Sequence, residues 1–222
     1  MVLLHLTRGA ALAALVLATA CSSLPVVATE DFDRSSSLAR FECTDTKAWR
    51  WLEVDGTGAL DLHQQSAYVP PHRSPLNLAL LRDVTVGDFE LELEAWQTGR
   101  EYPHRDLVFV FGYRDPAHFC YAHLASAADG SAHHLQVVDG ADRAPRTVQR
   151  TQGVAWGSGW KHVRIERSGA RVRVWFDRSP EPVLEGELPA WPGRIGLGSF
   201  DDTGRFTGLV LRGATAQSLP SR

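Results

Sequence analysis

The sequence predicts an all-β fold, a jelly-roll sandwich of two antiparallel sheets, on three observations. Short segments in which apolar and polar residues alternate recur along most of the chain, turn-forming pairs separate them, and no long helical period competes. The plainest case is 171–176, where Val172, Val174 and Phe176 alternate with Arg171, Arg173 and Trp175, as in a strand with one buried and one wet face. Many short strands at close spacing favour a sandwich over an α/β arrangement.

In chain order the expected strands are 47–54, 59–63, 79–84, 88–96, 106–113, 118–125 and 133–139. They continue through 146–150, 160–167, 170–176, 183–188, 194–200 and 206–212. Asp55-Gly56, Asp115-Pro116, Asp129-Gly130, Asp139-Gly140, Ser168-Gly169 and Pro192-Gly193 supply the turns. In 88–96, Phe89, Leu91, Leu93 and Ala95 share one face and Glu90, Glu92, Glu94 and Trp96 the other. Leu107 to Phe111 is apolar at every position, which predicts a strand covered on both sides or one in the middle of the sheet. In 118–125 the core face is Cys120, Ala122 and Leu124, leaving Phe119, Tyr121 and His123 opposite. The segment Tyr68-Val69-Pro70-Pro71, followed by P-L-N-L-A-L-L, reads as an extended, ordered connection that delivers a strand.

The ends bound the setting. Arg8 precedes an apolar run, 9–20, of the length of a secretory signal, and L-A-T-A-C at 17–21 resembles a bacterial lipoprotein processing site with Cys21 as the lipidated residue. The expected organisation is a signal peptide at 1–20, a lipidated cysteine and polar tether at 21–40, the sandwich at 41–213 and a tail at 214–222. That places the protein outside the cytoplasm in the cell envelope, anchored to a membrane by lipid alone, or else secreted or periplasmic. With Cys21 set aside, Cys43 and Cys120 remain, either as one disulfide or as two unpaired core thiols. The formal net charge of −3 and the scattered basic residues give no footprint for nucleic acid. A monomer is expected, with no cofactor.

The segments D-F-E-L-E-L-E at 88–94, W-K-H-V-R-I-E-R at 160–167, V-W-F-D at 174–177 and G-R-I-G-L-G-S-F at 193–200 resemble the concanavalin A-like lectin/glucanase superfamily. The likeness is nearest to the 3-keto-disaccharide hydrolase domains of secreted bacterial proteins and covers about 41–213. It implies a sugar site on a concave sheet face, used for glycoside cleavage or, alternatively, for binding alone in a lectin-like module. A structural or partner-binding envelope lipoprotein is the reading outside carbohydrate chemistry. Where the hydrolase domains usually carry N-S-G-i, this chain has Y-P-H-R-D-L-V.

Two constellations could carry chemistry. Glu90, Glu92 and Glu94 stand at i, i+2 and i+4, the only spacing that projects three carboxylates from one strand face, as in laminarinase-type glucanases. The second comprises His104, Arg105, Asp106, Tyr121, His123, His133 and His134, in a chain with nine histidines. Tyr121, His123 and His134 would offer an aromatic surface, planar polar groups and a titratable imidazole, while Arg105 would clamp an acidic sugar. Glu92 and His123 are the candidate acid/base groups, and Arg105, Tyr121, His123 and His134 the candidate substrate contacts. No metal is expected: His133 and His134 should diverge to opposite faces, and Asp201-Asp202-Thr203-Gly204 reads first as a tight turn.

Overall fold

The computed structural model describes residues 24–215. Among them run sixteen strands: β1 (Val26–Glu30), β2 (Phe41–Cys43), β3 (Trp49–Val54), β4 (Thr57–Leu62), β5 (Asn77–Leu81), β6 (Val86–Gln97), β7 (Asp106–Asp115) and β8 (His118–Ala125). The chain continues with β9 (His134–Asp139), β10 (Ala144–Pro145), β11 (Thr147–Arg150), β12 (Lys161–Ser168), β13 (Arg171–Phe176), β14 (Leu184–Glu187), β15 (Arg194–Ser199) and β16 (Gly204–Thr215). They form two antiparallel sheets. One has nine strands in the order β11-β14-β13-β12-β6-β16-β4-β3, with β1 added against β16, and the other has seven in the order β10-β9-β8-β7-β15-β5-β2. The expected sandwich is observed.

The core lies between the sheets and is built by alternation. β6 contributes Phe89, Leu91, Leu93 and Ala95, β12 and β13 contribute Val163, Ile165, Val172 and Val174, and these meet Phe109, Phe111, Cys120, Ala122 and Leu124 of the facing sheet. Removing this much apolar surface from water, at about 25 cal/mol per Å2, is the main force holding the sheets together. Gly58 marks a place where only hydrogen fits. A Cβ there would stand 1.9 Å from the Phe32 carbonyl oxygen.

One expectation is corrected and one open alternative is decided. The stretch read as a tether is folded from Val26 onward: β1 pairs with β16, Phe32 is fully buried and stacks on Phe41, and the Trp51 indole donates to the Phe32 carbonyl at 2.7 Å. One aromatic ring in a polar run is enough to dock it once a β3 indole offers a donor. The cysteines are both free. Cys43 on β2 and Cys120 on β8 are four strand positions apart in one sheet, about 19 Å at the usual spacing, far beyond disulfide reach. Burial pushes both thiols up to about 12, so they are inert core groups. The signal sequence, Cys21 and 216–222 lie outside the described residues.

Candidate functional site

The outer faces of the two sheets are chemically opposite. On the nine-stranded sheet, β6, β12, β13 and β16 present a lattice of alternating charge. Arg164 and Arg212 pair with Glu90 (both 3.1 Å), Arg212 with Glu92 (2.9 Å), Arg173 with Glu166 (2.8 Å) and Arg178 with Glu94 (3.1 Å). Trp175 is flanked by the Arg164 and Arg173 guanidinium groups. The three glutamates do share a face, as their spacing requires, but each is neutralised by arginine. Burial raises the Glu92 carboxyl, yet its contact with Glu90 and the charges of Arg212 and His162 hold it below the usual carboxylate value. A general acid needs the reverse shift.

The seven-stranded sheet carries an apolar strip on its outer face, Leu78, Leu80, Val108, Val110, Phe119, Tyr121 and Val138, all 3% exposed or less. The outer face of an outer sheet is buried only if something lies on it. Here it is 63–76, the connection from β4 to β5. Arg73 N–H donates to Asp142 Oδ1 (2.9 Å) and Arg143 N–H donates to the Arg73 carbonyl (3.1 Å), so the connection reaches from β5 to the turn after β9. It thereby straps over β15, β7 and β8. Pro70, Pro71 and Pro75 suit such an extended strap, which needs few backbone donors.

The strap leaves one opening, a cavity of about 330 Å3 whose walls include Arg73, His104, Asp106, His123, Arg143 and Phe200. Asp129 and Asp201 stand at its sides. The His123 ring stacks on Phe200 (5.3 Å between centroids), and the Arg143 guanidinium sits 4.0 Å over Phe200. His123 Nδ1 lies 3.2 Å from the Ser131 carbonyl oxygen, and Nε2 lies 3.0 Å from Asp106 Oδ2 without the alignment of a hydrogen bond. Asp106 is fixed from behind: its Oδ1 accepts from the Ser199 hydroxyl (3.0 Å). Its N–H donates to Asp202 Oδ2 (2.8 Å), which also accepts from the Tyr102 hydroxyl (3.0 Å). Burial, with added repulsion from Asp106 and Asp201, pushes the Asp202 carboxyl up to about 6. Asp106, Asp201 and Asp202 bring carboxylate oxygens within 4.8 Å of one another, a grouping a cation could use. In this fold it serves to knit β7 to the turn before β16.

The structure brings together some of the residues singled out from sequence and separates others. Tyr121, His123 and His134 do share a face, with His123 directly opposite His134 across β8 and β9. Only His123 of the three lines the cavity. Tyr121 is fully covered by the strap, and His134 is tied to Thr147 Oγ1 (2.9 Å) and the Asp129 carbonyl (3.1 Å). Burial and the Arg150 charge lower the His134 pKa, so it holds the 129–134 loop as a neutral ring. Arg105 is buried against Gln97 and Glu101 and does not face the cavity, and Glu92 is on the other sheet. His133 diverges from His134 as expected: it precedes β9 with φ of 57°, is fully buried beside Thr151, and burial lowers its pKa to about 4. The arginines Arg73 and Arg143, with Phe200, escaped the sequence reading because they sit in turns, where no periodicity signals a shared face.

No family model matches the chain, and no curated protein is similar to it in sequence. Its shape is shared. The carbohydrate binding module CBM66 from Bacillus subtilis superposes with a TM-score of 0.56 at 12% identity, over 78% of this chain and 95% of that one. Domain 4 of AbnA, a GH43 extracellular arabinanase from Geobacillus stearothermophilus solved with arabinotriose, gives 0.55 at 12% identity, over 87% and 95%. A protein of unknown function with a galectin-like fold from Bacillus subtilis gives 0.57 at 10% identity, over 87% and 98%. At these identities the likeness fixes the class of fold, a jelly-roll β-sandwich, and the site must be argued from its own residues.

Proposed function

We propose that this domain binds saccharide without cleaving it, at the His123 cavity, as the ligand-reading part of an exported lipoprotein held to the cell envelope through Cys21. The observation that carries the reading is the cavity's make-up: planar donors and acceptors (His123, Arg143, Asp106) grouped around the Phe200 ring, the mixture that reads sugar hydroxyls. The names of the structural neighbours, a carbohydrate binding module and an arabinanase domain bound to arabinotriose, support it. The apolar run ending in L-A-T-A-C supports the anchor.

Glycoside cleavage is favoured by one feature, the raised pKa of Asp202 beside Asp106. Against it, Asp202 is 6% exposed and spends one oxygen on two internal donors, so it faces the scaffold. The deciding experiment is a glycan screen with the chain from Ser22 onward, 3-keto-disaccharides included, scored for both binding and product release. Binding without release, lost in His123→Ala and Arg143→Ala, is expected. Released sugar overturns the non-catalytic reading.

A further inference from the structure

The outer face of the nine-stranded sheet carries a group of arginines that the carbohydrate reading does not use. One row of side chains crosses four strands there: Arg212 of β16 stands opposite Glu90 of β6, Glu90 opposite Glu166 of β12, and Glu166 opposite Arg173 of β13. The row borders a cavity of about 340 Å3 in whose walls arginine outnumbers glutamate five to two. Arg167 turns inward to backbone carbonyls, which leaves Arg164, Arg171, Arg173 and Arg212 on the face.

The charges nearly balance, because Glu92 and Glu185 also pair with Arg212 and Arg171, but they are layered. The four arginine side chains are 32 to 58% exposed and the four glutamates they meet 22 to 33%, so guanidinium groups form the outer layer and carboxylates the inner one. Among the described residues Arg212 bonds through Nη1 alone and Arg173 through Nη2 alone, so each keeps N–H groups for an acceptor outside the chain.

The path of the chain brings the anchor to the same place. Leu24 is part of the cavity wall, Gly213 N–H donates to the Pro25 carbonyl (2.9 Å), and Val26, opposite Arg212, is 55% exposed. Cys21 is three residues before Leu24. A lipidated Cys21 would hold at the bilayer surface a basic layer, an exposed apolar side chain and the Trp175 ring between Arg164 and Arg173, groups suited to phosphate headgroups and the interface below them. Screening limits the attraction to the near face, within about 10 Å at 0.1 M salt, so the chain's overall negative charge weighs little.

We propose that the outer face of the nine-stranded sheet docks on the anionic headgroups of the membrane that holds Cys21, with Arg164, Arg171, Arg173 and Arg212 on lipid phosphates, and so turns the His123 cavity, on the opposite sheet, away from the lipid. This rests on the lipid-anchor reading above and adds the pose to it. Each contact is weak, but the tether makes docking intramolecular, and modest affinity is enough.

The test is co-sedimentation of the chain from Ser22 onward, free of lipid, with vesicles of phosphatidylcholine alone or mixed with phosphatidylglycerol, beside the mass of the mature chain recovered from bacterial membranes. The mixed vesicles should take up the chain at about 0.05 M salt and release it at about 0.5 M, and the plain ones should not take it up. Arg173→Gln and Arg212→Gln should each lower the partition coefficient about fivefold. Their melting temperatures should stay at the wild-type value, because exposed ion pairs add little to stability, and Arg171→Gln, at the most exposed of the four, repeats the test where one of them melts lower. Equal uptake by both kinds of vesicle, none included, or by wild type and variants, overturns the docking face and leaves the anchor standing. Tighter binding to soluble polygalacturonate than to the mixed vesicles assigns the arginines to an acidic saccharide and overturns the membrane assignment. A mature chain without acyl groups on Cys21 removes the anchor reading itself, and this inference with it.

Discussion

Replacing Asp202 with Asn should make the protein more stable at neutral pH. The folded carboxyl titrates at about 6 against 3.8 for the free group, because burial and two neighbouring aspartates oppose its charge. Between those values the unfolded chain has already released the proton that the folded chain retains, so folding loses stability as the pH rises from about 4 through 6. Two units correspond to about 3 kcal/mol at pH 7, with nothing contributed below pH 4. Asparagine keeps the geometry, since both internal donors, Asp106 N–H and the Tyr102 hydroxyl, meet the same oxygen, which the amide carbonyl can replace. Urea unfolding of both proteins from pH 3.5 to 7.5 should show a stability difference that opens with pH towards about 3 kcal/mol in favour of the variant. A difference that stays flat, or a variant that is weaker at pH 7, would mean that Asp202 is held ionised in the fold and that the burial argument fails.

His133 carries the opposite dependence. Its folded pKa of about 4 lies below the ordinary 6.5, so the stability it contributes is present above that value and is lost as the pH falls towards 4; His133→Gln should lessen acid sensitivity in the same urea series. Arg167 is buried and donates to the carbonyls of Gly169, Pro189 and Trp191, without a direct ion pair among the described residues, and Arg167→Met, leaving those oxygens unpaired, should cost about 2 to 4 kcal/mol in chemical unfolding. Gly58→Ala drives a methyl into the Phe32 carbonyl and should lower stability by about 3 kcal/mol or more, read by loss of the folded baseline in thermal melts.

The period of two makes most of the fold legible in the sequence. Thirteen of the sixteen strands in the described residues overlap segments expected from alternation and turns. The three missed, β1, β2 and β10, are two to five residues long, too short to show an alternation of their own, and are held by their neighbours. The face carrying Tyr121 and His123 followed from the same rule, because i and i+2 on a strand must agree. The rule could not show that the strap hides Tyr121, nor that Arg105, one residue before Asp106, turns inward to Gln97 while the aspartate faces the cavity. Arg143 and Phe200 reach the site across turns, and only the closed chain brings together positions 57 residues apart.

Docking of β1 on β16 sets the freedom of the whole domain if Cys21 is the anchor. Pairing begins at Val26, so four residues, five chain steps, would separate the lipid from the sheet, about 17 Å of fully stretched chain. A leash of twenty residues would let the domain sweep through the space around its attachment point and turn its cavity in any direction. With four, an anchored domain would ride close to the lipid surface in a narrow range of poses, and any ligand it took would lie within a domain's width of the membrane.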